Sequence, residues 1–177
     1  MKIKCLVLIL LSFNMSLVDA QTRVEIKGIA LGAVKAALPN FLSRNCKADG
    51  AGGQECRWFA NSNESIPAEL RTLAQQPVKV WNVQLAGSPP TVVNVSATIP
   101  LDTLDDTREA LMVKYGFAEC AQKAFCTWQP GSGTDKVTFF FKGSNDNLGL
   151  ILVESPESVM HSKKIRDAKA GRAKSDL

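Results

Sequence analysis

Four cysteines give the clearest chemical signal in this sequence, because they lie in two closely spaced pairs. The pairs are Cys46 with Cys56 and Cys120 with Cys126. Cysteines in this arrangement could bind zinc or form disulfides, but the nine and five intervening residues do not match the short knuckles of structural zinc sites. Each pair also precedes a tryptophan by two residues, at Trp58 and Trp128. We therefore predict no metal site and two local disulfides, each stabilising the fold by about 2–3 kcal/mol.

Side-chain catalysis has weaker support. His161 is the one histidine and lies in a polar segment near the C-terminus, where a solvated role is expected rather than that of a base or a ligand. Ser–His or Cys–His chemistry would depend on this residue alone. Carboxylates are densest at Asp102, Asp105 and Asp106, but a helix that begins there explains them through capping and the helix dipole. No catalytic residue or cofactor is predicted, and a small carboxylate-dependent hydrolase is the alternative function.

Aromatic residues are the first candidates for a binding surface. Trp58 and Trp128 follow the cysteine pairs, and an indole packed on a disulfide is a common core arrangement, so burial is expected ahead of ligand stacking. Residues 139–141 are three consecutive phenylalanines, and at least one of them must point away from the buried face of a strand. We take Phe140 as a candidate contact with a partner. Coverage by the C-terminal helix is the favoured alternative.

Basic residues cluster in the segment 163–177. They are Lys163, Lys164, Arg166, Lys169, Arg172 and Lys174. Such clusters contact anionic lipid or cell-wall phosphates, so Lys163, Lys164 and Arg166 are also candidate binding residues, for a weak contact with an anionic surface. The segment lacks interleaved aromatics, and secretion makes nucleic acid an unexpected partner. A frayed, solubilising tail is the simpler interpretation.

The first 20 residues predict export from the cytoplasm. A short basic start precedes a mostly apolar run over residues 5–17, and the next three residues include the small side chains that a signal peptidase recognises. A membrane span needs about 20 apolar residues, which is more than this run provides. Cys5 lies too near the start of the chain, at the beginning of the apolar run, to be a lipidated cysteine. The mature chain is expected to be secreted or periplasmic, without a transmembrane segment.

The elements that position these residues follow from apolar periodicity. Near-helical spacing over 29–38 predicts a first helix that ends at Pro39, and a second helix ends at a Gly116 C-cap. A third helix opens at Pro156. A bulge is predicted at Trp81, where the alternation of the first hairpin slips. The two predicted hairpins pair 78–85 with 92–99 and 137–141 with 148–153.

The order of elements predicts an α+β fold in which a helix, a disulfide loop and antiparallel strands occur twice. Residues 21–162 would form one domain of two tandem half-units, about 21–100 and 101–162, followed by the basic tail 163–177. With residues 28–32 entering the first helix and Ala110-Leu111 through Lys114-Tyr115-Gly116 closing the second, this layout resembles the tandem α/β repeat of secreted β-lactamase inhibitor proteins. It is also similar to small periplasmic modules related to the outer-membrane assembly lipoproteins. The resemblance transfers no functional residue.

The leading functional expectation is a non-enzymatic secreted or periplasmic protein. It would bind another protein or an envelope component through a sheet face or loops. A structural envelope protein is a further alternative. An exposed apolar sheet face would favour binding, whereas a deep cleft with convergent carboxylates would favour catalysis.

The local disulfide pairing is directly testable, because local and crossed pairings give peptides of different mass. Non-reducing peptide mapping is expected to find Cys46 linked to Cys56 and Cys120 linked to Cys126. A peptide that joins Cys46 to either of the later cysteines would contradict the prediction of two half-units.

Overall fold

A computed structural model describes residues 23–100, 104–122, 125–130, 134–142 and 148–175 as an α+β structure. The strands are β1 (Glu25–Ile26), β2 (Ile29–Ala30), β3 (Cys46–Ala48), β4 (Gln54–Phe59), β5 (Thr72–Leu73), β6 (Gln76–Pro77), β7 (Val80–Ala86), β8 (Thr91–Pro100), β9 (Glu119–Gln122), β10 (Phe125–Trp128), β11 (Lys136–Lys142) and β12 (Leu148–Glu154). The α-helices are α1 (Asn40–Ser43), α2 (Leu104–Tyr115) and α3 (Pro156–Ser175), and short 3-10 helices lie at Lys35–Ala37 and Ala68–Leu70.

Eight strands form one antiparallel sheet in the order β3-β4-β7-β8-β12-β11-β10-β9. The two central strands, β8 and β12, pair over seven consecutive residues. Outward from this pair the order is the same on both sides: the hairpin partner comes first, and a disulfide-linked hairpin follows. The remaining strands form two small ribbons, β1 with β2 and β5 with β6. The central pair thus joins both halves into one sheet.

Both predicted disulfides are present and close the two outer hairpins. Cys46–Cys56 links β3 to β4 with a Cα–Cα distance of 3.9 Å, and Cys120–Cys126 links β9 to β10 with a distance of 4.1 Å. In each case the bonded residues lie directly opposite one another in the ladder. The two edge strands are therefore held covalently as well as by hydrogen bonds, and the prediction of local pairing is confirmed.

One face of the sheet carries the core. Side chains alternate along a strand, so residues paired in register across neighbouring strands share a face. Two rows on this face are buried across six strands. The first row is Cys56, Val83, Val95, Val153, Val137 and Trp128, and the second is Trp58, Trp81, Ala97, Ile151, Phe139 and Cys126. Both indoles that follow the disulfides are in the core, as their sequence positions predicted.

Segments outside the sheet pack on this core face and are fastened to it by buried indoles. The Trp81 indole N–H donates to the Leu70 carbonyl at 2.9 Å, and the Trp128 indole N–H donates to the Gly116 carbonyl at 2.9 Å. Leu111 of α2 is also buried in the core. Each indole thus contributes its apolar area while its one polar group stays paired.

The first predicted helix is wrong. Residues 29–38 contain β2, a turn at Gly32 and the 3-10 helix Lys35–Ala37. The Gly32 N–H donates to the Val92 carbonyl at 2.7 Å, and the Val92 N–H donates to the Ala33 carbonyl at 2.8 Å. These bonds to β8 satisfy backbone groups that a helix would have paired locally. Tertiary hydrogen bonding therefore overrides the helical spacing of the apolar residues.

The other predicted elements are present, with two corrections. Both hairpins, the second helix with Gly116 after it and a helix from Pro156 are observed. The bulge lies between Gln84 and Leu85 rather than at Trp81, because the Trp81 side chain stays in phase with the core face.

The second correction concerns the C-terminal segment. The helix α3 continues to Ser175, so the prediction of a frayed tail is wrong for residues 163–175. Within the described ranges no helix is long and apolar enough to cross a membrane.

Core packing at the centre of the sheet is expected to dominate stability. Ile151 is fully buried on β12 between Ala97 and Phe139. Ile151→Val should lower the free energy of unfolding by about 1 kcal/mol and Ile151→Ala by about 3 kcal/mol, because each leaves a larger cavity. Urea denaturation measures both. Val113→Ala, at an exposed helical position, should change it by less than about 0.5 kcal/mol, and an equal loss there would contradict this account of the core.

Candidate functional site

The second face of the sheet, here called the outer face, carries a row of mostly apolar residues. Backbone register places six positions from six strands in this row: Phe59, Val80, Thr98, Leu150, Phe140 and Phe125. We call these positions the outer row. Phe59 and Phe125, at its two ends, are 45% and 44% exposed. Val80, Thr98 and Leu150 are partly exposed. The described side chains of the outer row are therefore accessible, and all of them except Thr98 are apolar.

The next row on the outer face is more polar, and its charge is neutralised within the molecule. Arg57 Nη2 lies 2.6 Å from Glu55 Oε1, and the Asn82 amide donates to the same oxygen at 3.2 Å. Ser96 and Thr138 are nearly buried in the middle of the sheet. With its guanidinium paired, this row adds little net charge beside the outer row.

The helix α3 occupies the opposite end of the outer face. It contacts β7 and β8. The Ser155 N–H donates to the Val93 carbonyl at 3.0 Å, and the Asn94 amide donates to Ser158 Oγ at 3.3 Å. Asn94 belongs to the row of Gln84 on the outer face. The helix thus covers polar positions and leaves the outer row accessible.

A buried hydrogen bond between His161 and Asp49 fixes α3 to the first disulfide loop. His161 Nε2 lies 2.5 Å from Asp49 Oδ2, and both side chains are only 6% exposed. A carboxylate can only accept, so the imidazole donates. The other oxygen of Asp49 accepts from the Ala51 N–H at 2.9 Å and the Gly53 N–H at 3.0 Å. The Asp49 carboxylate therefore takes part in three hydrogen bonds.

The electrostatics of this pair follow from those contacts. Burial of Asp49 raises the pKa of its carboxyl, but the hydrogen bonds from His161, Ala51 and Gly53 outweigh that effect, and the pKa lies below its ordinary value of 3.8. The packing leaves no space at Gly53, where a Cβ would approach His161 Nε2, Asp49 Oδ2 and the Leu85 carbonyl within about 2.5 Å. Only glycine fits at this contact.

A groove of about 480 Å³ separates α3 from the second half of the sheet. Its lining includes Val159 and Met160 on the helix, which are 60% and 61% exposed, and Lys136 and Glu154 on the sheet. Burial raises the pKa of Glu154, and the charge of Lys136 acts in the opposite direction. The groove thus has an apolar wall beside a mixed polar floor.

The structure places the predicted site residues at separate locations. Trp58 and Trp128 are in the core, and Phe140 lies in the outer row by its backbone register, although its side chain is outside the described part. Lys163 and Lys164 are exposed on α3.

Arg166 is exposed on α3 as well, so the three predicted cations share one helix. The expectation for His161 was wrong: it is buried in a pair with Asp49, because the loop that meets this helix comes from 112 residues earlier in the chain.

The predicted carboxylate cluster lies at the start of α2. Asp105 and Asp106 are exposed in its first turn, and Asp105 Oδ1 lies 2.8 Å from Arg108 Nη2. Asp102 lies outside the described residues. The two described carboxylates have the positions expected from favourable interaction with the helix dipole.

No protein-family model, curated protein or solved structure matches this chain. The functional interpretation therefore rests on the geometry of the residues described above. The resemblance to the β-lactamase inhibitor proteins and to the assembly lipoproteins stays a prediction.

Phe59 and Phe125 were not predicted from the sequence as candidate contacts. Each is adjacent in sequence to a core residue, Trp58 or Cys126, so the two-residue period of a strand places it on the other face. That signal was present in the sequence. No local signal indicated the pair of Asp49 with His161, because its two halves are polar residues in unrelated segments.

The buried pair predicts a pH-dependent difference in stability. The pKa of Asp49 is lower in the folded chain than in the unfolded chain. The ionised carboxylate therefore contributes fully to the free energy of unfolding above pH 3.8, and this contribution is lost as the pH falls through the folded pKa. Asp49→Asn should lower the free energy of unfolding by about 3 kcal/mol near pH 5, and this difference should shrink towards about pH 2. Urea titrations at several pH values measure it.

Asp105→Asn is the matched control for this experiment, since that carboxylate is 69% exposed. It should cost less than about 1 kcal/mol at every pH. A loss in Asp49→Asn that did not change with pH would contradict a stabilising charge at Asp49.

Proposed function

We propose that this chain is a non-enzymatic binding protein that binds another protein, or a proteinaceous envelope component, through the outer face of its sheet. The observation that carries the proposal is the outer row. It brings accessible apolar side chains from both halves of the sheet into one line, with an aromatic residue at each end. Exposed aromatic residues beside neutralised polar groups are the composition that protein interfaces favour.

The rigidity of this surface supports the proposal. The outer row lies on paired strands whose other face is the core, and the hairpins at both ends are closed by disulfides. A partner would therefore meet a preformed surface and lose little free energy in ordering it. Loops alone would not provide this advantage.

We also propose export, with residues 1–20 as a cleaved signal peptide. Two disulfides are compatible with an extracellular or periplasmic location, where such bonds persist. In that setting the exposed Lys163, Lys164 and Arg166 would add a weak electrostatic contact with anionic surfaces, which salt would screen.

We further infer that the two halves of the sheet are tandem related units. A two-fold axis normal to the sheet, between β8 and β12, would exchange Cys56 with Cys126 and Trp58 with Trp128 in the observed registers. It would also exchange the two disulfide hairpins. This symmetry of order and register supports the repeat that the sequence layout predicted.

Affinity capture with a sheet-face variant tests the proposed binding function. The mature protein, residues 21–177, is used as bait in extracts of the native envelope and secreted fraction. We expect a reproducible partner whose recovery falls at least about tenfold with the double variant Phe59→Ser, Phe125→Ser, because both ends of the apolar strip are removed.

Phe117→Ser is the matched control, since Phe117 is 95% exposed in the segment after α2 and outside the outer row. Thermal unfolding of each variant checks that the fold is retained. Recovery of no partner, or equal recovery by the double variant and the wild type, would overturn the proposal.

A further inference from the structure

We propose that the partner segment that meets the Phe59 end of the outer row is acidic, with carboxylates beside an apolar side chain. Its binding site is the cationic corner, which we define as the β3–β4 hairpin, the cleft beside it and the part of α3 that runs along the hairpin loop. This inference rests on the proposed function, because it names the chemistry of the segment that the outer face binds.

A cleft of about 470 Å³ lies beside the first disulfide, where β4 extends three residues beyond its pairing with β3. Its lining includes Cys46 and two aromatic residues, the buried Trp58 and the 45% exposed Phe59. Phe59 is also the end of the outer row on this half of the sheet. The cleft therefore continues the apolar surface of the outer row.

Charged side chains line the same cleft, with cations in excess. The charged lining residues are Arg44, Lys47, Arg57, Glu55 and Glu64. Each carboxylate already accepts a side-chain hydrogen bond within the chain, and Arg57 is the donor to Glu55. Arg44 and Lys47 are exposed, and within the described part of the chain their side chains form no ion pair. A carboxylate from a partner would therefore gain charge-assisted bonds to these two cations without breaking an internal pair.

The helix α3 brings more cations to the β3–β4 hairpin. His161 packs against Gly53 at one end of the hairpin loop, and Arg172 lies against Gly50, where an added Cβ would be 2.7 Å from the Arg172 Nη2 atom. The helix between these two contacts therefore runs along the loop. Its exposed basic residues in this part are Lys163, Lys164, Arg166 and Lys169, and its one carboxylate is Asp167.

The cations of the cleft and those of α3 lie on the same face of the sheet. Lys47 is paired with Glu55 across β3 and β4, in a row of the outer face. It also lies two residues before Asp49, whose carboxylate holds His161 of α3. Positive charge from two separate segments thus collects at one corner, where it attracts a segment of opposite charge and speeds association with it.

The shape of the cationic corner favours a protein segment over a membrane surface. The cleft is concave, and Phe59 lies in it beside the cations. A flat bilayer surface can reach α3 but cannot fill the cleft. An acidic peptide can place an apolar side chain on Phe59 and a carboxylate near Arg44 and Lys47, and a guanidinium matches a carboxylate in its geometry.

Display selection with matched peptide libraries tests the charge of the partner segment. The mature protein is immobilised and exposed to two libraries with the same apolar positions. The other positions are Asp or Glu in one library and Asn or Gln in the second, so the libraries differ in charge and hardly in shape. We expect binders from the acidic library alone. Their affinity should fall at least about tenfold with Arg44→Glu, Lys47→Glu and at least about threefold with Arg166→Glu, Lys169→Glu, and salt should weaken them.

Lys27→Glu, Lys114→Glu is the matched control, because it makes the same change in net charge at exposed positions away from the corner. Lys27 lies in the β1–β2 turn next to buried Ile26, and Lys114 is on α2, so both are on the core side of the sheet. The control should lower the affinity less than about twofold. Thermal unfolding checks that every variant keeps its fold.

Three results would overturn the acidic segment. They are the absence of binders from the acidic library, equal binding by both libraries, and equal loss of affinity in the control and corner variants. Vesicles of phosphatidylglycerol are tested in parallel. Vesicle binding that depends on Arg44 and Lys47, without any acidic peptide selected, would assign the cationic corner to lipid and overturn the inference as well.

The capture experiment separates this inference from the proposed function. Capture that is lost with Phe59→Ser, Phe125→Ser but is unchanged by Arg44→Glu, Lys47→Glu would keep the protein partner and remove its acidic segment. Acidic peptides that bind at the corner when no partner is captured would remove the proposed function and leave the corner as a site for acidic ligands.

Discussion

The pairing of β8 with β12 is the contact on which the rest of this structure depends. Seven consecutive residue pairs at the centre join two four-stranded halves that follow one another in the chain. Because the register is continuous across this contact, core residues of one half line up with core residues of the other, and Trp128 shares a row with Cys56. A shift by one residue would turn one half inside out, placing its apolar side chains in solvent. The same register that builds the core therefore also assembles the outer row.

The sequence predicted those parts of the fold whose signals are local. The hairpin strands alternate between apolar and polar residues, the second helix has a glycine after it, and the cysteines pair across adjacent strands. The prediction of the first helix was wrong because the Gly32 N–H donates to the carbonyl of Val92, sixty residues later, and only the folded sheet supplies that partner. The prediction that His161 is solvated was wrong for the same reason, since its polar neighbours in sequence gave no indication of a buried carboxylate partner. The outer row could be predicted from the alternation of residues along the strands. The position of α3 on the outer face could not.

The helix α3 makes the two halves of the sheet unequal. The part of the sheet under it is polar, and α3 is held there by the buried hydrogen bond between His161 and Asp49 and by close contact with Gly53, which has no space for a side chain. A buried polar pair of this kind adds little net stability compared with apolar packing, but it forms only when the two side chains meet in a narrow range of positions. It selects one position of the helix on the sheet. The accessible strip that remains is thus a result of where a single polar contact places α3.

The two ends of the sheet carry strands of only three and four residues, each tied by a disulfide to its neighbour. An eight-stranded sheet with long, flat borders would offer rows of unpaired amide and carbonyl groups on which further copies could add, and short borders limit that growth. The cystines also prevent either border from peeling away to expose the longer strand behind it. The short, disulfide-linked edge strands β3 and β9 therefore resist fibrillar assembly. The outer face can stay accessible without making the chain prone to polymerise.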